Sequence, residues 1–430
     1  MAPPRKAAAG GAVFDDFAGG GGPPARAAAL SRQTPVIPTT STSGSSNPTL
    51  TTHKLTTGCP RAKLGRVDFA RFGCYERLVR HAQSAALEPA PRGRGGRRRV
   101  DVLLEEEDRV ALLRAEARRG LTATPKKLPP KWFYDGRGSE LFEEITRQPE
   151  YYLTRREREI LSARAGEIAA LTRAETLVEL GAGSAEKTRV LLDALDAAGT
   201  LRGFVPFDVC LPAVVATATA IEAEYPLLDV RGVVGDFHQH VGFLPRAPEG
   251  AGPRVVAFLG STIGNFDPEE RLQFFRAVHR TLRPGDFLLL GADRVKAKAR
   301  LEAAYNDAAG VTAAFNKNVL RVLNRDLDAT FDEDQFDHVA RYDRDRELID
   351  IRLRARTAHR VAVRGLGLDI GFASGEEMRT EISAKFTRLG LTRVLGHAGF
   401  HGVRFWTDPA REFSLSLWTP RQMSPGRRAR

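Results

Sequence analysis

Between residues 176 and 291 the apolar positions fall into short continuous runs, separated by stretches with helical spacing. The runs predict strands at 176–180, 204–208, 229–234, 254–260 and 286–291. The intervening stretches predict helices at 187–198, 211–224 and 268–282. Uninterrupted apolar strands suit a sheet covered on both faces, and regular strand–helix alternation predicts an α/β fold with a parallel sheet. Upstream, residues 100–121 show helical spacing with mixed charge on the other face. Pro129 and Pro130 stop any preceding helix, Ser139 is the expected N-cap of the next, and Pro149 closes it. A helix at about 154–171 then leads into the first strand. After Asp293 the rhythm breaks. Residues 295–325 read as helical, 347–363 as a two-stranded hairpin or meander, and 371–391 as a returning helix. Strands at 391–397 and 412–418 finish the fold.

Residues 1–99 lack both rhythms. They are rich in Gly, Pro, Ala, Ser and Thr, and such a composition buries too little apolar surface to offset ordering entropy. They are expected to be a disordered basic leader, with Val100 a candidate start of the working protein. The net charge of +12 suggests nucleic acid at first, but its distribution argues against it. The leader holds 16 Lys and Arg against 5 Asp and Glu, and the rest of the chain holds 49 against 48. Residues 421–430 form a short basic tail. No apolar run approaches the roughly 20 residues of a membrane span. The N-terminus has no continuous apolar segment of the signal-peptide kind. Cys59, Cys74 and Cys210 show no metal or disulfide spacing. The expected location is the cytoplasm, and no membrane or nucleic-acid partner is expected.

The chemistry begins at LVELGAGSAEKT, which reads as strand, glycine turn and helix start around Gly181. Such a turn lets backbone approach a ligand, and the helix start offers free N–H groups. Dinucleotide enzymes use a similar turn with a third glycine, where this chain has Glu186. The turn alone leaves both cofactor classes open, and Glu179 just before it favours a methyltransferase. Asp208 ends the second strand, where two carboxylate oxygens match a ribose diol. Asp236 and Phe237 follow the third strand and suit an adenine amine and ring face. Each acid alone could be an ordinary strand-end or capping residue, but three fall at the carboxyl ends of successive strands. His238 and His240 have no third ligand at a helpful spacing, so no metal is expected.

Seven segments strongly resemble the histidine-specific methyltransferase of ergothioneine biosynthesis. They are KWFYDGRGSELFEEITRQPEYYLTRRE, VELGAGSAEKT, PFDV, GDF, FLGSTIGNF, AYNDAAGVTAAFNKNVLRVLNR and EEMRTEISAKF, and the resemblance runs from about Leu103 to Trp418. It implies a class I S-adenosylmethionine methyltransferase fold, a Rossmann-like seven-stranded sheet, with a second, discontinuous α+β substrate-binding domain. That second domain would comprise 100–155 and 295–385, and the methyltransferase domain 156–294 and 386–420. The implied reaction is trimethylation of the α-amine of L-histidine to hercynine, with S-adenosylmethionine as methyl donor. Gly181, Lys187, Asp208, Asp236 and Phe237 match the family's cofactor positions. Asn265 and Tyr305 match the residues holding the substrate carboxylate, and Gly260 and Thr262 lie near the amine. Tyr151, Glu381 and Ser383 match the imidazole site, and Tyr134 and Phe142 match pocket-lining aromatics.

These residue types suit the task. Methyl transfer is an in-line displacement, so the protein chiefly positions a neutral amine behind the methyl group. Asn and Tyr can donate to a carboxylate without placing a full charge beside a cationic cofactor. A Glu and a Ser two apart can serve both imidazole nitrogens, and a site built for those bonds rejects analogues lacking them. No general base is assigned; water near Thr262 and Tyr134 is one proton route. Ile351 stands where the family carries a Met, and Ala182 and Ala185 vary the cofactor turn, which touches selectivity rather than reaction class. The rival readings are a related methyltransferase for another amino acid or small amine, a nicotinamide dehydrogenase, and, more distantly, a nucleic-acid-binding protein acting through the leader. A monomer is expected.

Overall fold

A computed structural model describes residues 99–244 and 250–421. The expectations for the leader up to residue 98, for Cys59 and Cys74, and for the tail from 422 lie outside these residues.

One eight-stranded sheet organises the fold. Its strands are β1 (Arg99–Val102), β2 (Thr176–Leu180), β3 (Gly203–Asp208), β4 (Asp229–Val234), β5 (Arg254–Phe258), β6 (Phe287–Asp293), β12 (Phe400–Thr407) and β13 (Phe413–Pro420). In space they run β1-β4-β3-β2-β5-β6-β13-β12. All pairs are parallel except β13 with β6 and β12 with β13. Seven of these strands form the class I methyltransferase sheet, with its late strand inserted antiparallel. The eighth, β1, pairs parallel with the outer side of β4. A helix was expected from residue 100. The Val-Asp-Val alternation instead adds an edge strand, and the helix starts later, at Glu106–Leu121.

Alternate residues of the strands face opposite layers. Leu177 and Phe204 enter one apolar cluster with the helices Leu153–Thr172 and Arg189–Ala197. Val178 and Phe207 enter the other, with the helices Pro268–Thr281 and Arg388–His397. Each fully buried Leu or Phe contributes roughly 1.5–3 kcal/mol of burial free energy, so the strand register is strongly specified. The strand order reverses between β2 and β5, which opens a crevice at their carboxyl ends.

Beyond β6 a second sheet forms from β7 (Phe336–Asp343), β8 (Leu348–Ala355) and β11 (Glu377–Ala384), in the order β11-β8-β7. A separate pair joins β9 (His359–Val363) to β10 (Leu368–Phe372). The segment 347–363 therefore contributes strands to two different sheets. Two expectations fail here. The residues expected as a returning helix, 371–391, instead hold the end of β10, all of β11 and only the start of the next helix, because Met378, Thr380 and Ile382 alternate inward. The strand expected at 391–397 is the helix Arg388–His397, whose Thr387 side chain caps Gly390 N. The strand β12, which follows it, was not expected.

The N-terminal segment crosses to this second layer. Leu128 N donates to Arg379 O at 2.8 Å, and Arg379 N to Lys126 O at 3.0 Å, so 126–128 flank β11. The helix Gly136–Arg147 follows, capped by Asp135 rather than Ser139. Its first turn contains Gly138, where a Cβ would fall 1.7 Å from Phe133 O. Asn318, on the helix Val311–Leu327, donates to both Phe133 O and Asp135 Oδ1 at 2.9 Å and pins that turn.

Candidate active site

The crevice opens into a cavity of about 670 Å³, lined from both sheets and the N-terminal segment. Twelve of the fourteen candidate residues reach its wall: Tyr134, Phe142, Tyr151, Gly181, Lys187, Asp208, Asp236, Phe237, Gly260, Thr262, Asn265 and Glu381. Tyr305 and Ser383 do not; they are buried one layer behind it.

On the sheet side, the turn after β2 requires its glycine. Gly181 has φ +76, and a Cβ there would come within 3.3 Å of Phe237. Gly183 N donates to Asp208 Oδ2 at 3.2 Å, and Cys210 N to Oδ1 at 3.1 Å. Burial nevertheless raises the Asp208 carboxyl above its usual value. Asp236 accepts from His238 N at 2.9 Å and from Lys131 Nζ at 2.6 Å. Burial alone would raise its carboxyl, but the Lys131 charge overrides this and keeps it lowered. Phe237 packs between Phe207 and Phe258, with ring centroids 5.7 and 5.6 Å away. Glu179 is buried and accepts from Thr188, while its other oxygen has no partner. Burial pushes its carboxyl up to about 8. Lys187 is paired with Glu157, whose carboxylate also accepts from Gly260 N at 2.8 and 2.9 Å.

On the other side, aromatic rings build the wall. Tyr134 meets Phe142 edge-on at 5.7 Å, Phe142 meets Tyr151 at 6.2 Å, and Tyr151 meets Tyr305 at 6.2 Å. Burial raises the hydroxyls of Tyr134, Tyr151 and Tyr305 well above the ordinary phenol value, so all three remain donors at neutral pH. The turn Thr262–Asn265 lies close against β11: a Cβ on Gly264 would stand 2.9 Å from Ala384 O. This approach lets Asn265 Nδ2 donate to Glu381 Oε1 at 2.9 Å. Glu381 alternates with the fully buried Thr380 and reaches the cavity wall, next to a register irregularity in the pairing of β11 with β8. Burial raises the Glu381 carboxyl to about 7. Ile351 pairs with Glu381 in register but is buried outside the cavity wall.

The sequence profile of SAM-dependent, histidine-specific methyltransferases matches residues 113–420. The chain belongs to this family. It is 53% identical over 314 residues to the histidine N-alpha-methyltransferase of Mycolicibacterium smegmatis, covering 73% of this chain and 97% of that one. It is 54% identical over 305 residues to the same-named protein of Mycobacterium tuberculosis, covering 71% and 94%. Ergothioneine biosynthesis protein 1 of Neurospora crassa is 32% identical over 303 residues, with 70% of this chain matching 34% of that protein.

For a member of this family, the structure adds residues that sequence reasoning missed. Lys131 bridges Glu116, at 2.9 Å, and Asp236. Glu157 ties Lys187 to Gly260. Behind the wall, Lys385 Nζ contacts Asp293, Tyr305 and Ser383, and Asp293 also takes Lys296 and Tyr152. Apart from Lys296–Asp293 and Lys385–Ser383, these pairs join segments far apart in the chain, so only the fold reveals them. His240 Nδ1 accepts from Asp236 N at 3.0 Å. Among the described residues no group of three His, Cys, Asp or Glu side chains is arranged to hold a metal ion, and no helix is long and apolar enough to cross a membrane.

Proposed function

We propose that this chain transfers methyl groups from S-adenosylmethionine to the α-amine of L-histidine, three in succession, yielding hercynine for ergothioneine biosynthesis. The observation that carries the reading is one cavity with two chemically distinct halves. The half at the ends of β2, β3 and β4 suits a nucleoside with a cationic tail: Asp208 for a ribose diol, Asp236 and Phe237 for adenine, and the unpartnered Glu179 oxygen for positive charge. The other half suits a small amino acid with an imidazole.

When bound, S-adenosylmethionine supplies an electrophilic methyl on a sulfonium. The protein's part is to place and orient. Gly181 brings backbone close to the cofactor, and Lys187 offers a cation to its carboxylate. Asn265 and Tyr305 are assigned to the substrate carboxylate, with Tyr305 reaching it from behind the present wall. Glu381 and Ser383 are assigned to the imidazole nitrogens and Tyr151 to its face, with Tyr134 and Phe142 enclosing the ring. Gly260 and Thr262 border the amine, and the missing side chain at Gly260 leaves room for a nitrogen that grows by two methyls before the last transfer. Alignment of amine and methyl in a water-poor pocket lowers the barrier chiefly through orientation.

Incubation with L-histidine and S-adenosylmethionine, followed by mass spectrometry, should show three successive additions of one CH₂ unit. No addition, or a stop after one, would overturn the reading. In the same assay Glu381→Ala should lower kcat/KM for L-histidine by about 10- to 100-fold, as expected for loss of a charged hydrogen bond. An unchanged preference for histidine over other amino acids would exclude the imidazole assignment.

A further inference from the structure

Lys385 follows directly on β11, and its side chain is wholly out of solvent. Its Nζ lies 2.9 Å from Asp293 Oδ2, 2.8 Å from Tyr305 OH and 2.9 Å from Ser383 Oγ. An ammonium has three N–H groups and no acceptor. All three are therefore spent, and Tyr305 and Ser383 both serve Lys385 as acceptors. The two hydroxyls also bond each other at 2.8 Å. Two hydroxyls carry two protons, and one lies in that shared bond. The other has to be donated elsewhere, by whichever hydroxyl is not donating to its neighbour. Ser383 is two residues from Glu381 on the same strand face, and the Tyr305 ring meets Tyr151 of the cavity wall.

The charge balance points the same way. Asp293 is fully buried and is shared by Lys385 and by Lys296, whose Nζ is 2.5 Å from Oδ1. Two ammonium groups share this carboxylate, with Glu381 the next negative group to Lys385 and Glu412 to Lys296, so Asp293 alone does not neutralise Lys385 and its remaining positive charge is directed toward Tyr305, Ser383 and the cavity wall. A buried charge persists only where paired or relayed through hydrogen bonds.

We propose that Lys385 is a positioning residue: it fixes the hydroxyl pair so that Ser383 donates to Tyr305 and Tyr305 donates to the substrate carboxylate, and it relays positive charge to that carboxylate through the Tyr305 hydroxyl. This rests on the reading of L-histidine as substrate. It explains how the site recognises an anion while keeping the cation one hydroxyl away from a positively charged cofactor.

The test is calorimetric titration of L-histidine and of L-histidinamide, its neutral counterpart, in the presence of S-adenosylhomocysteine. The intact wild-type chain is compared with Lys385→Met and Tyr305→Phe. The wild type should prefer L-histidine. Both variants should lose about tenfold or more of that preference, as for a charge-assisted hydrogen bond, while S-adenosylhomocysteine binds as before. A packing role for Lys385 would weaken both ligands equally, and that result, or an unchanged preference, overturns the proposal. If Lys385→Met no longer binds S-adenosylhomocysteine and so has not folded, Tyr305→Phe decides alone: a retained preference sinks the relay. A wild type that binds no L-histidine would defeat the functional reading itself, whereas variants that keep the wild-type preference defeat only this inference.

Discussion

Glu179 is buried at the end of β2, with one oxygen bonded by Thr188 and the other unpartnered. Burial raises its carboxyl from 4.5 to about 8. A carboxyl raised on folding favours the fold at pH values below 4.5, and that contribution is lost as pH rises through about 8. Glu179→Gln keeps the shape and cannot ionise. It should match the wild type in stability near pH 5 and exceed it at pH 8 by roughly 1–4 kcal/mol, because each pH unit separating the folded and unfolded values is worth about 1.4 kcal/mol. Thermal melting at the two pH values measures this, and a gap that fails to widen with pH would refute it. The same variant should bind S-adenosylmethionine more weakly, because the group that meets a cation is gone. At this scale the acids at the strand ends were legible, since Asp208 and Asp236 follow apolar runs at regular intervals. Lys385, Asp293 and Glu157 were not, because the contacts that tie them to the site, Lys385 with Tyr305 and Asp293 and Glu157 with Lys187 and Gly260, join distant segments.

Among the elements, the helix Gly136–Arg147 links substrate wall to scaffold. Asp135 caps Gly138 N at 2.9 Å, accepts from Asn318 at 2.9 Å, and pairs with Arg325 at 2.6 Å. Burial would raise its carboxyl, but these donors together hold it below 3.8. Loss of a cap of this kind costs about 0.5–2 kcal/mol. Asp135→Ala should therefore lower stability in urea unfolding by about that amount at pH 7. It should also weaken L-histidine binding more than cofactor binding, since Tyr134 and Phe142 flank the capped turn. Equal weakening of both ligands would contradict this placement. Element boundaries were legible where a first-turn proline and the apolar spacing agreed, as at Leu211–Glu224 with Pro212. They failed where short apolar runs suit either state. LTRVLGH reads as a strand by composition, yet the Thr387 cap makes it a helix. EEMRTEISA reads as helical through its glutamates, yet its inward residues alternate with period two.

For the whole molecule, every residue assigned to the site lies between Lys131 and Lys385. A chain beginning at Arg99 should accordingly keep kcat/KM for both substrates within about twofold of the full chain, since changes that touch no such residue have small effects. Steady-state assay of the two forms checks this, and a larger loss would assign the first 98 residues a catalytic part. The α/β class and the parallel sheet were legible because continuous apolar strands leave few alternatives. The pairing of β1 was not, because a four-residue strand carries little pattern.

That short strand bears on behaviour in concentrated solution. β4 presents Val230, Val233 and Val234 in a DVRGVV stretch, and without β1 its outer backbone groups would lie unpaired, a template for edge-to-edge aggregation. With β1 in place, the outermost strand on this side among the described residues is only four residues long. At the opposite edge, the register of β12 shifts between Gly402 and Arg404 and interrupts regular pairing. Truncation just past Val102 would therefore show itself first in light scattering and precipitation, before any change in turnover per folded molecule.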